Sequence, residues 1–125
     1  MLKISRMRKI ISFIIISLLI TSCSTAFRDI TVQMPDLTLL NDGIYRGIYD
    51  LSGTPIKVIL DVTIQRNRIL HIEIVQHNSS PIGRRAESII NYVIEKQSLE
   101  IDAVSGATAS SKAILKAIEK ALRSN

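Results

Sequence analysis

Residues 55–77 have the sequence PIKVILDVTIQRNRILHIEIVQH, in which two segments alternate apolar residues with others. A period of two is typical of strands that bury one face. The segments are separated by Arg66-Asn67-Arg68, where asparagine accepts the left-handed backbone conformation of a turn. The stretch therefore predicts two antiparallel strands joined by a short turn. The side chains predicted to face the core are Val58, Leu60, Val62, Ile64, Leu70, Ile72 and Ile74, and those predicted to face outward include His71 and Glu73.

The sequence on either side of these strands completes the predicted fold. Residues 42–50, DGIYRGIYD, begin with an Asp-Gly turn and continue as a strand. Apolar residues then recur at helical spacing in residues 83–98 and again in residues 111–122. Strands followed by helices predict an α+β fold, a small antiparallel sheet of three or more strands with two helices packed on one face. In the last helix the predicted buried stripe is Ala113, Ile114, Ala117, Ile118, Ala121 and Leu122, and the predicted solvent-facing residues are Lys112, Lys116, Glu119 and Lys120.

The N-terminal residues have the pattern of a secretory signal. Residues 1–9 carry four basic residues and no acidic one, and residues 10–20 are largely apolar. This run is shorter than the roughly 20 apolar residues that a membrane-spanning helix needs. It ends in Ile20-Thr21-Ser22-Cys23, which resembles the lipobox of bacterial lipoproteins, whose signal is removed and whose cysteine carries lipid. The alternative is an uncleaved membrane anchor that contains an incidental cysteine.

Charge and cysteine content narrow the class of protein. Four of the 16 basic residues lie in the signal, so the remainder has 12 basic and 11 acidic residues, a net charge of +1. A nucleic-acid-binding domain would carry a basic stripe, so we expect no nucleic-acid partner. Cys23 is the only cysteine, which excludes an internal disulfide, and two histidines without a second cysteine predict no metal site. We assign residues 1–22 to the signal peptide, 23–41 to the lipidated cysteine and a tether, and 42–125 to one domain.

Residues 101–111, IDAVSGATASS, form a segment of small and hydroxylated residues directly before the last helix. Ser110 or Ser111 is predicted to cap that helix. Gly106 permits backbone angles closed to other residues, and with Ala107 it leaves room for a flat or charged ligand near the main chain. Helix N-termini favour anions such as phosphate. A capped loop without a ligand is the alternative that the physics leaves open.

The heptapeptide DAVSGAT at residues 102–108 resembles the signature of the FMN-binding domain family, which includes flavin-carrying subunits of the sodium-pumping quinone reductase and of the Rnf complex. In that family a flavin transferase joins FMN to the last threonine through a phosphodiester bond. The resemblance implies that Thr108 is the attachment residue. It further implies that Ser105, Gly106 and Ala107 shape the loop around the phosphate, and that Asp102 belongs to the sequence recognised by the transferase.

The resemblance extends over residues 42–122. Residues 42–47, DGIYRG, are similar to the family's Asp-Gly-x-Tyr-x-Gly opening, and Ser110 keeps a hydroxyl where larger members often have threonine. Many members also have a His-x-Glu-Thr segment after the third strand. Here it is His77-Asn78-Ser79-Ser80, so the histidine is present and the acidic residue is not. His77 is accordingly a candidate flavin contact.

Together these features predict a lipid-anchored flavoprotein on the outer face of the cell membrane, or in a Gram-negative envelope. It would hold FMN covalently and pass electrons from a membrane-bound donor to another carrier or reductase. We expect no second domain to bind a separate substrate, which favours an electron carrier or redox subunit over a complete enzyme. Three alternatives remain: a non-covalent FMN-binding module, an enzyme that reduces a small extracellular acceptor, and a flavin-free interaction domain.

Overall fold

The computed structural model describes residues 30–124. The predicted signal peptide at residues 1–22 and the predicted lipidation site Cys23 lie outside the described residues. Three strands precede two α-helices along the chain, and a short 3₁₀ helix precedes the first strand and another the first α-helix. The strands are β1 (Gly43–Asp50), β2 (Lys57–Gln65) and β3 (Arg68–Asn78), the α-helices are α1 (Ile89–Lys96) and α2 (Thr108–Leu122), and the 3₁₀ helices are Leu37–Leu39 and Gly83–Ser88.

The three strands form one antiparallel sheet in the order β1-β2-β3. The turn between β2 and β3 places Arg66 and Asn67 at positive φ, 53° and 60°. Two successive positive φ angles match the twist of antiparallel strands, which is why asparagine is favoured in such turns. Both helices pack on one face of the sheet, so the predicted α+β fold is confirmed.

Two β-bulges change the face to which residues of β3 point. Thr63 pairs with His71 and Ile64 with Ile69, so Leu70 has no partner on β2. A bulge adds one residue to a strand and reverses the alternation beyond it. Leu70 is therefore exposed and Ile69 is buried, so the predicted inward position of Leu70 was wrong.

The second bulge lies near the end of β3. Ile59 pairs with Gln76 and Leu60 with Ile74, which leaves Val75 outside the regular pairing. His77 consequently lies opposite Val58, a fully buried residue of the core. Strict alternation would have placed His77 on the outer face, so this bulge buries its imidazole.

Helix α2 approaches β1 very closely at Gly47. A Cβ atom at Gly47 would lie 1.9 Å from the carbonyl oxygen of Ala117 and 3.0 Å from Cβ of Ala121. Alanine and glycine at the crossing allow the helix backbone to lie almost on the strand, and the larger side chains Ile114 and Ile118 fill the core beside it. This crossing fixes the position of α2, whose first residue is Thr108.

Part of the predicted tether docks on α2. Val32, Met34 and Leu37 pack against the core. Glu119 accepts hydrogen bonds from the backbone N–H of Gln33 and from Nζ of Lys116. The Glu119 side chain is only 5% exposed. The prediction that Glu119 faces solvent was therefore wrong, because the docked segment covers it.

The other face of the sheet carries neither helix. There Arg46 donates two hydrogen bonds to the carboxylate of Asp61, at 2.7 and 2.8 Å. The hydrogen bond, with the positive charge of Arg46, holds the pKa of Asp61 below its ordinary value. Within residues 30–124 there is no helix of the length and apolar character needed to cross a membrane.

A candidate cofactor cleft at the start of α2

The last helix begins earlier than the sequence pattern predicts. Its first residue is Thr108, and the residue at the cap position is Ala107, which supplies no side-chain hydrogen bond. Ser110 and Ser111 lie inside the first turn and are both buried. The prediction that one of them caps the helix was wrong, because the helix already begins at Thr108 and both serines lie within it.

Ser111 holds the loop that precedes the helix. Its Oγ accepts a hydrogen bond from the backbone N–H of Val104 at 3.0 Å and donates to the carbonyl of Ala107 at 2.8 Å. The N–H of Ala107 donates to the carbonyl of Val104 at 2.9 Å. Gly106, at the tip of this loop, has a φ of 77°, a conformation that favours glycine. Residues 104–107 thus form a turn that is held in place by the buried hydroxyl of Ser111.

This turn forms one wall of a half-open cleft of about 230 Å³. The wall consists of residues 106–110, which include Thr108, exposed at the first position of α2. The opposing walls are Pro55 and Ile56, from the connection before β2, and Ser79, Ser80 and Gly83, from the connection after β3.

Two serine hydroxyls meet on the cleft wall. Oγ of Ser79 lies 2.7 Å from Oγ of Ser110, and either atom can donate. Gly83 lies directly against this pair, because a Cβ atom there would be 1.8 Å from Oγ of Ser79 and 2.7 Å from Oγ of Ser110. Ser79, Ser80 and Gly83 were not among the site residues predicted from the sequence. One signal in the sequence could have identified Ser79 and Ser80. They lie in the segment where this chain departs from the family's His-x-Glu-Thr.

His77 lies near the cleft without lining it. Its side chain is 1% exposed, and its Nδ1 lies 2.9 Å from Oε1 of Glu87 on the second 3₁₀ helix. Its Nε2 is buried and has no hydrogen-bond partner among the described residues. An unpaired buried nitrogen costs about 1–3 kcal/mol. His77 thus joins the end of β3 to the segment that forms one wall of the cleft.

The structure brings together four of the predicted site residues and separates three others. Gly106, Ala107, Thr108 and Ser110 line the cleft. Asp102 and Ser105 are exposed and do not line it, and His77 is buried beside it. Across residues 30–124, His, Cys, Asp and Glu side chains form no group of three or more that could hold a metal ion.

Comparison with known protein families matches residues 52–123 to the FMN-binding domain. The chain belongs to the FMN-binding domain family. It is also similar to an uncharacterized protein of Treponema pallidum (strain Nichols), with 35% identity over 86 residues. That alignment covers 67% of this chain and 23% of the Treponema protein, so the chain spans about a quarter of its relative.

The cleft fits one part of FMN. Gly106 and Ala107 leave the backbone accessible, Thr108 and the two serines supply hydroxyls, and the N-terminus of α2 supplies free N–H groups. These groups suit a phosphate and the hydroxyl-bearing ribityl chain. Sites that enclose whole small molecules measure about 300–1,000 Å³. The cleft, at about 230 Å³, is smaller than that range, so it could enclose only part of FMN.

Proposed function

We propose that this protein is an exported, lipid-anchored flavoprotein that holds FMN through a phosphoester at Thr108 and transfers electrons. The donor would be a membrane-bound redox complex, and the acceptor another carrier or reductase. Membership of the FMN-binding domain family supports the cofactor. The observation that carries the covalent assignment is the position of Thr108, an exposed hydroxyl on the first residue of α2 and in the wall of the cleft.

In this proposal the chain's own groups hold the phosphate. A flavin transferase forms the bond between Oγ1 of Thr108 and the flavin-side phosphorus of a flavin phosphoanhydride donor. The anhydride P–O bond breaks, the donor's other phosphate-bearing part leaves, and the hydroxyl proton of Thr108 is lost. The N–H groups at the start of α2 and the helix dipole stabilise the remaining phosphate charge. Ser79 and Ser110 line the same cleft, and the hydroxyl proton that their mutual bond does not use can be donated to a phosphate oxygen.

A covalent link suits a domain outside the cytoplasm. The occupancy of a site by a reversibly bound ligand, and the stabilisation that follows, depend on the ratio of the free ligand concentration to the dissociation constant. Free FMN is scarce outside the cytoplasm, so each dissociation would lose the cofactor. Attachment through the phosphate leaves the isoalloxazine ring unmodified. The bound flavin supplies the electron chemistry, and the protein supplies position and environment.

Intact mass of the protein, produced with and without a flavin transferase, tests the covalent proposal. The expected result is a mass increase of FMN minus water that depends on the transferase and maps to the peptide containing Thr108. Flavin that is released by acid precipitation would support a non-covalent binding module instead. A colourless protein of unmodified mass would support a flavin-free interaction domain.

Membrane fractionation tests the anchor. The lipobox-like sequence that ends in Cys23 predicts that the mature protein partitions with membranes. Cys23→Ser is expected to release the protein or to block signal processing. Normal processing together with an unchanged membrane fraction would contradict lipid anchoring.

A further inference from the structure

We propose that Ile82 is the apolar platform on which the isoalloxazine ring of the cofactor lies, beside the loop that contains Gly106. This inference rests on the proposed function, because it assumes that FMN is attached at Thr108. It assigns a flavin-contacting role to a residue outside the family-like motif.

Ile82 borders the loop that precedes Thr108. Its side chain is 57% exposed. Its Cγ2 atom would lie 3.9 Å from a Cβ atom built on Gly106, the tip of the loop. A methyl group at position 106 would therefore contact Ile82, so the Ile82 side chain lies directly beside the tip of the loop.

The exposure of Ile82 is imposed by a fixed backbone. The next residue, Gly83, donates its N–H to Oγ of Ser80 at 3.1 Å and packs against the Ser79–Ser110 hydroxyl pair. The carbonyl of Ile82 accepts a hydrogen bond from the N–H of Arg85 at 3.1 Å. Hydrogen bonds on both sides of Ile82 hold its backbone, and its apolar side chain remains exposed.

The size of the cleft determines which part of FMN would meet Ile82. A cleft of about 230 Å³ is too small to enclose all of FMN, so with the phosphate at Thr108 the ring would extend beyond it. Ile82 is an exposed apolar side chain beside two residues that line the cleft, its chain neighbour Gly83 and the loop residue Gly106. Contact of an aromatic face with the Ile82 side chain removes apolar surface from water, which is favourable by roughly 25 cal/mol per Å².

The experiment compares Ile82→Gln with Ile44→Gln in the full chain co-expressed with a flavin transferase. Ile44 is also an exposed isoleucine, 70% accessible, but it lies on the helix-free face of the sheet. Both substitutions replace an exposed apolar side chain with a polar one of similar length. Far-UV circular dichroism confirms that each variant is folded, and intact mass confirms that each carries FMN.

The readouts are the visible-region circular dichroism of the flavin and the quenching of its fluorescence by iodide. We expect Ile82→Gln to keep the FMN mass, to lose the induced dichroism, and to show iodide quenching like that of the proteolysed flavin-peptide. Wild type and Ile44→Gln are expected to keep the dichroism and the protection.

A flavin-loaded Ile82→Gln protein with the dichroism and quenching of wild type would overturn the platform assignment and leave covalent attachment intact. If wild type gains no FMN mass, the proposed function fails instead. The platform is then tested by titrating free FMN into wild type and Ile82→Gln, and equal affinity, or no binding by either, would overturn it.

Discussion

The backbone N–H of Val104 donates to Oγ of Ser111, seven residues later, and this bond closes the loop that presents Thr108. The same Oγ donates to the carbonyl of Ala107, so one buried hydroxyl is bonded at both ends of the loop. Ser111 therefore links the interior of α2 to the conformation of the candidate attachment site.

We predict that Ser111→Ala destabilises the domain by about 1–3 kcal/mol, because it leaves the N–H of Val104 without its partner in a partly buried position. Urea unfolding measures the loss. The control is Ser88→Ala, which removes an exposed hydroxyl bonded only to the carbonyl of Arg85. Equal stability of the two variants would show that the loop does not depend on Ser111.

Gly47→Ala is expected to destabilise the fold by about 1–3 kcal/mol or more, because the added methyl group overlaps the backbone of α2 at Ala117. Backbone atoms of a helix cannot rotate away, so the whole helix must shift. Gly43→Ala is the matched control in the same strand, since its nearest contact would be an ordinary 3.9 Å. Thermal unfolding of both variants measures the effect. Equal unfolding midpoints for Gly47→Ala and Gly43→Ala would contradict the close approach of α2 to Gly47.

Glu119→Gln is expected to loosen the segment that contains Gln33. The carboxylate bonds the N–H of Gln33 and pairs with Lys116 and Arg123, whereas a neutral amide keeps the shape and loses the charge. Both cations are partly exposed and can be hydrated, so the cost should be about 1.5–3 kcal/mol, as for a hydrogen bond to a charged group. Hydrogen exchange at residues 31–36 should accelerate, while Glu95→Gln on the exposed face of α1 should not change it.

The Arg46–Asp61 pair should contribute to stability at neutral pH and less in acid. The folded pKa of Asp61 is lowered, so its contribution is present above the unfolded pKa and is lost as pH falls through the lowered folded value. For an aspartate that range lies below about pH 4. The difference in stability between wild type and Asp61→Asn should shrink on acidification in that range, and a difference independent of pH would contradict the argument.

The sequence was sufficient to predict the elements because alternation and helical spacing are regular over many residues. It could not predict the bulges at Leu70 and Val75, since one extra residue in a strand does not alter the amino-acid composition. The bulge at Val75 nevertheless changes the face of the sheet on which His77 lies. Glu119 appeared solvent-facing because its burial depends on a segment more than 80 residues away. Ser79 and Ser110 become neighbours only through the fold, so their pairing was not readable from either segment alone.

Thr108→Ala should abolish covalent flavin and leave the fold intact. Thr108 is exposed, and alanine is a good helix former at the first position of α2, so the substitution removes a hydroxyl without opening a cavity. Intact mass after co-expression with the transferase should show no FMN, with an unfolding midpoint close to that of wild type. Ser124→Ala, beyond the opposite end of α2, removes an exposed hydroxyl and should keep the added mass. Flavin that remains covalently attached in Thr108→Ala would assign the bond to another residue, with Ser105 in the exposed part of the loop the first to test by peptide mapping.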